Sequence, residues 1–106
     1  MGLFDLLRGT DINNKLQEMR EVKGAVLLDV RNADEYKSGH IPGAINVPVD
    51  SIESISKKVK KKDTPIYSYC LSGARSGRAV SALKAMGYTN ATNIGGINRY
   101  RGELER

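Results

Sequence analysis

The sequence predicts an α/β domain with a mainly parallel sheet and helices on both of its faces. Three observations carry that expectation. Helix-like and strand-like runs alternate over the whole length, and the clearest strand run, "AVLLDV", is continuously apolar, the pattern of a strand covered on both sides. Glycines or capping residues also stand at the joints between runs. At 106 residues the chain has the size of one domain, and residues 1–106 read as a single one with 1–9 as an N-terminal extension, docked or frayed.

The elements follow in order. Thr10 or Asp11 caps a first helix whose apolar residues Ile12, Leu16, Met19 and Val22 share one face, and Gly24 ends it. "AVLLDV", residues 25–30, is the first strand. Asn32 and Glu35 form a capping-box pair before one turn of helix stopped by Gly39. "GAINVP" gives a short second strand closed by Pro48, and Asp50 with Glu53 repeats the capping pattern ahead of a helix carrying Ile52, Ile55 and Val59. "PIYSYC" is the third strand. Ala79, Val80, Leu83 and Met86 line a further helix that stops at Gly87. "NATNIGG" reads as the last strand and "INRYRGELER" as a terminal helix.

Composition removes several function classes. A single cysteine rules out an internal disulfide, and one Cys with one His cannot build a tetrahedral zinc site within the chain. No metal and no cofactor is expected. Much of the net charge of +5 comes from the run Lys57 to Lys62, which reads as a solvated helix end rather than a nucleic-acid contact, because no aromatics are interleaved with it. The N-terminal "MGLFDLLRG" is too short and too interrupted for a signal peptide or a membrane span. Leu6 stands where a myristoylation motif needs Ser or Thr. A cytoplasmic protein with neither nucleic-acid nor membrane partners is expected.

The stretch "YCLSGARSGRAV" singles itself out. It holds the only cysteine, Cys70, at the carboxyl end of a strand, then a loop over Leu71, Ser72, Gly73, Ala74 and Arg75, then a helix expected to open near Ser76. Ligands bind at the carboxyl ends of strands in open α/β sheets. Small loop residues let successive N–H groups converge as an anion nest, the helix N-terminus adds partial positive charge, and Arg75 and Arg78 add full charges. All of these favour thiolate over thiol at Cys70.

"CLSGARS" resembles the active-site loop of rhodanese-like sulfurtransferases in the form with four residues between Cys and Arg. "LLDVRNADEYKSGHIPGAINVP" is similar to the family's N-terminal signature, with Asp29, Arg31, Glu35 and His40 in place, and "NIGGINRY" to its glycine pair before the final helix. The resemblance implies an about five-stranded parallel sheet. It also implies a reaction in which Cys70 takes sulfane sulfur from a small anionic donor such as thiosulfate, becomes a persulfide, and passes the sulfur to cyanide or a thiol. Arg75 would stabilise the bound anion, and the N–H groups of Leu71 to Arg75 would cradle the terminal sulfur. Leu71 stands where the family often has a charged or polar residue, which predicts weak thiosulfate binding unless Arg78 compensates. Tyr100 replaces the usual tryptophan as a packing change.

Other readings of the same residues compete. A cysteine phosphatase or arsenate reductase would need a longer loop and a separate aspartate acid. A non-catalytic binding module would have no use for Cys70 and Arg75 together. A persulfide carrier that delivers sulfur to a protein partner shares the chemistry and differs only in acceptor. His40 reads as a hydrogen-bonded structural residue rather than a base, Asp29 with Arg31 as an ion pair ordering nearby loops, and Tyr67 and Tyr69 as core.

Overall fold

The computed structural model of the chain describes residues 11–106. The elements run α1 (Ile12–Arg20), β1 (Val26–Asp29), α2 (Ala33–Ser38), β2 (Ile45–Asn46), a 3₁₀ segment (Val49–Lys57), β3 (Ile66–Cys70), α3 (Ala74–Ala85), β4 (Ala91–Gly96) and a 3₁₀ turn (Ile97–Arg99). Among the described residues the sheet has four strands in the order β2-β1-β3-β4, every pairing parallel. The implied count of about five is therefore corrected to four, the same four that the apolar runs mark out. The parallel sheet flanked by helices is as expected.

Strand parity divides the core. Ile66 and Cys70 face one side with Leu28, Val30, Ile55, Ala79, Val80 and Leu83, beneath α3 and the long 3₁₀ segment. Tyr67 and Tyr69 face the other with Leu27, Ile12, Leu16, Ile41 and Ile94. Because side chains alternate along a strand, a slip of one residue in β3 would turn Cys70 away from α3. The tyrosines also make specific contacts: the Tyr67 hydroxyl donates to Glu18 at 2.8 Å, and the Tyr69 oxygen accepts the Ile41 N–H at 3.1 Å. Burial pushes the Tyr69 hydroxyl well above the ordinary tyrosine range.

Several local expectations change. Asp11 is the α1 cap, its carboxylate accepting the Asn13 N–H at 2.7 Å, but the helix ends at Arg20, before Gly24. The segment with Ile52 and Ile55 is a 3₁₀ helix that follows Pro48, with no side-chain cap and a kink at Ser51, so the Asp50/Glu53 capping pattern is not used. The terminal helix is not formed. A single 3₁₀ turn gives way to extended backbone at Tyr100, and His40 and Glu105 exchange N–H···O bonds of 2.8 Å as an antiparallel bridge. The tail is mostly charged and lacks a periodic apolar face, so its backbone pairs with the His40 segment instead. Tyr100 packs against the second core cluster, as expected of a residue filling an aromatic position. The N-terminal extension, 1–9, lies outside the described residues. No helix among the described residues is long and apolar enough to cross a membrane.

Candidate functional site

The end of β3 delivers a buried thiol to the start of α3. Cys70 is 1% exposed, and its Sγ accepts two backbone N–H groups, from Gly73 at 3.0 Å and from Ser76 at 3.3 Å. The loop is shorter than its sequence suggests. It comprises Leu71 to Gly73, and α3 opens at Ala74, so Ala74 and Arg75 belong to the first turn of the helix. Gly73 takes φ +111°, a conformation that disfavours any residue with a Cβ, and this turns its N–H back onto the sulfur. The resting Sγ is held by Gly73, within the Leu71 to Arg75 loop expected to cradle a terminal sulfur, and by Ser76, one residue past it.

Other groups immobilise that loop. The Ser76 hydroxyl does not face the site: it donates to the Ser68 carbonyl at 2.7 Å and lies 3.0 Å from the Ser68 hydroxyl, locking the first turn of α3 onto β3. Asn93, on β4, donates to the Gly73 carbonyl at 3.0 Å while its own carbonyl accepts the Gly95 N–H at 3.0 Å. The Asn98 N–H donates to the Leu71 carbonyl at 3.1 Å. Gly96 permits the close approach of loop and β4. A Cβ there would collide with the Leu71 carbonyl and meet the Ser72 Cα at 2.6 Å. Gly96→Ala is accordingly expected to cost about 1–3 kcal/mol of stability, the usual penalty of overpacking, and to lower reactivity of Cys70 toward iodoacetamide. A denaturation curve and an alkylation time course on the same preparation check both.

Arg75 has a partner that its place in the sequence does not announce. Its guanidinium makes a two-pronged ion pair with Glu35, at 2.7 and 3.1 Å, across 40 positions of sequence. Glu35 also accepts the Asn32 N–H at 3.0 Å, so the capping-box residue of α2 doubles as the clamp on α3. The Arg75 hydrogen bonds, chiefly, hold the Glu35 carboxyl down at about 2. The sign follows: a depressed carboxyl contributes stability that is complete above its ordinary value of 4.5 and is lost as pH falls through about 2. Glu35→Gln should therefore be less stable than the parent at pH 7, with the gap closing between about pH 4.5 and pH 2. Urea titrations of both proteins across that range check it.

The remaining expected residues fall as follows. Arg78 is exposed and lies 3.7 Å from Asp50, and Leu71 is 48% exposed beside the thiol. Asp29 and Arg31 form a buried ion pair at 2.7 Å, with Arg31 also donating to the Gly39 carbonyl at 2.8 Å. His40 stacks on Tyr36 with ring centroids 3.7 Å apart, places Nδ1 2.9 Å from the Tyr36 carbonyl, and sets Nε2 3.5 Å from Glu105. Its contacts thus lie with α2 and the C-terminal tail. The sequence reading missed Asn93 and Ser68. Ser68 stands between two tyrosines of a fully buried strand, where a polar side chain needs a partner, whereas Asn93 is exposed on β4 and carries no such mark. The surroundings of Ser68 were the available signal.

The sequence model of the rhodanese-like domain family matches residues 13–103. The thiosulfate sulfurtransferase PspE of Escherichia coli is 39% identical over 71 residues, covering 66% of this chain and 68% of that protein. The human thiosulfate:glutathione sulfurtransferase is 35% identical over 95 residues, covering 77% of this chain and 81% of that one. A solved structure described as a rhodanese with anions from E. coli superposes with a TM-score of 0.72 at 34% identity, over 77% of this chain and 98% of that chain. Other relatives are longer: the chain spans 64% of a Bacillus subtilis protein and 31% of a tRNA uridine(34) hydroxylase from Buchnera aphidicola.

Proposed function

The chain belongs to the rhodanese-like domain family, and from that premise we propose that it is a sulfurtransferase working by double displacement through Cys70. The observation that carries the reading is the pair of N–H groups, from Gly73 and Ser76, aimed at a single buried sulfur. Two N–H donors aimed at Sγ are placed to meet negative charge on the attacking sulfur. They also meet the negative charge that returns to Sγ when a persulfide is discharged. In the first half-reaction the Cys70 thiolate attacks the outer sulfur of thiosulfate, the S–S bond of the donor breaks, and sulfite leaves with the electron pair. In the second, an acceptor such as cyanide or a thiol takes that sulfur and the thiolate is restored.

Arg75 enters this scheme in two capacities. Its pairing with Glu35 fixes the first turn of α3, which presents the Ser76 N–H, and it leaves a cation near the thiol. Cys70 lies near enough to interact electrostatically with the Arg75 guanidinium, whose main partner is Glu35. Arg75→Ala is expected to cost on the order of a hundredfold in turnover, the usual size of one lost preorganised contact. The relatives named as thiosulfate and thiosulfate:glutathione sulfurtransferases support these donor and acceptor classes.

Initial rates with thiosulfate and cyanide varied together test the reading. Parallel double-reciprocal lines are expected of a ping-pong route, and intersecting lines, which require a ternary complex, would overturn it.

A further inference from the structure

Two cations stand at the thiol loop, Arg75 and Arg78, and the structure sets a carboxylate against each. Arg78 lies 3.7 Å from Asp50, both side chains exposed, a contact that water and salt screen. Arg75 is held more firmly. Its two terminal nitrogens donate to the two Glu35 oxygens at 2.7 and 3.1 Å, in a partly buried place. Such two-pronged pairs are among the stronger charged hydrogen bonds. Glu35 is fixed in turn, because its Oε1 also accepts the Asn32 N–H at the start of α2, at 3.0 Å. Its carboxyl, kept well below the ordinary range by Arg75, is ionised at neutral pH.

Arg75 adjoins Ser76, whose N–H reaches the Cys70 Sγ at 3.3 Å, and its guanidinium interacts electrostatically with Cys70 and with Asp29. Asp29 carries its own cation, Arg31, at 2.7 Å. Arg75 with Glu35 and Arg31 with Asp29 are thus two matched pairs at the carboxyl end of the sheet. An unopposed cation in a cleft would gather anions from solution. A matched pair does so far less. The Gly73 and Ser76 N–H groups still meet charge on the sulfur, but they are dipoles, and their pull on an approaching anion fades quickly with distance.

We infer that Glu35 is a specificity-determining residue: its charge offsets that of Arg75, so that Cys70 discriminates little between anionic and neutral reagents. Without that carboxylate the site would select for anions. For sulfur donors the inference rests on the sulfurtransferase reading and adds a rule of donor charge. Thiosulfate, with two negative charges, gains less from Arg75 than an unopposed arginine would give it, and donors of lower charge compete with it.

Alkylation of Cys70 in the full chain reads this preference without any sulfur transfer. The thiolate forms a C–S bond and iodide leaves with the electron pair, whether the reagent is iodoacetate, an anion, or iodoacetamide, its neutral counterpart. The ratio of the two rate constants cancels changes in thiolate fraction and in access to the loop. Glu35→Gln keeps the size of the side chain and an oxygen for the Asn32 N–H, and loses the charge. At pH 7 and low salt its iodoacetate:iodoacetamide ratio is expected to rise about three- to tenfold over the parent, the effect of one charge several ångströms away in a partly solvated site. Glu35→Asp, which keeps the charge, should hold the parent ratio. The double variant Glu35→Gln/Arg75→Gln, which removes both charges together, should return to it. A ratio in Glu35→Gln that stays at the parent value, or falls because Arg75 has left the site, would overturn the inference. So would a rise in Glu35→Asp or in the double variant equal to that in Glu35→Gln. All of these results leave the sulfurtransferase reading standing. Failure of the parent to transfer sulfur from any donor would overturn that reading, while the alkylation ratio still decides the role of Glu35.

Discussion

Replacing Cys70 by serine is expected to lower thiosulfate:cyanide sulfur transfer by at least about a thousandfold, the scale on which removal of a covalent nucleophile acts. The substitution keeps the shape of the site: Gly73 and Ser76 can still donate to an oxygen at that position, and the packing of a residue 1% exposed hardly changes. What is lost is the soft, polarisable sulfur that can carry a second sulfur. Stability should stay near the parent value, so a denaturation curve on the same sample separates lost chemistry from lost fold. Full activity in a preparation of Cys70→Ser would remove Cys70 from the mechanism.

The largest effect on stability is expected from Arg31→Ala. Asp29 is fully buried and receives the Arg31 side chain at 2.7 Å and the Arg31 backbone N–H at 2.9 Å. Truncating Arg31 leaves the carboxylate with the Arg31 backbone N–H and the Tyr69 hydroxyl but without its opposite charge, in a site closed to water. Breaking one side of a buried pair costs about 3–5 kcal/mol, against a total of about 5–15 kcal/mol for a domain. The same truncation frees the Gly39 carbonyl, which Arg31 holds at 2.8 Å. Urea unfolding should show the midpoint falling with little change in slope. A loss under about 1 kcal/mol, the size of a surface pair, would mean that water reaches Asp29.

The parts of the fold that the sequence made legible are those with a local cause. The apolar run at β1, the alternation of Tyr67 and Tyr69 against Ile66 and Cys70, and the glycine stops at Gly39 and Gly87 each rest on residues near one another in the chain. The thiol, its loop and the helix behind it were legible for the same reason, since strand end, small residues and helix start are contiguous. What sequence did not reveal depends on contacts across the chain. Glu35 was read for its capping role three residues away, and its grip on Arg75, 40 positions distant, has no local signature. Asn93 reaches Gly73 from a neighbouring strand in the same way. The segment "INRYRGELER" was read as a terminal helix, but beyond the 3₁₀ turn Ile97–Arg99 no helix forms. It extends instead because pairing with His40 gives its backbone partners that a helix without a buried face could not hold.

One measurement tests the central claim most directly: the intact mass of the protein after brief exposure to thiosulfate and removal of the donor. No second cysteine exists in the chain to displace the adduct, so a Cys70 persulfide should persist until an external thiophile arrives. The account predicts a gain of one sulfur atom, absent from Cys70→Ser, that disappears when cyanide is added. A mass that stays unchanged while the protein turns over thiosulfate and cyanide would contradict a persulfide on Cys70.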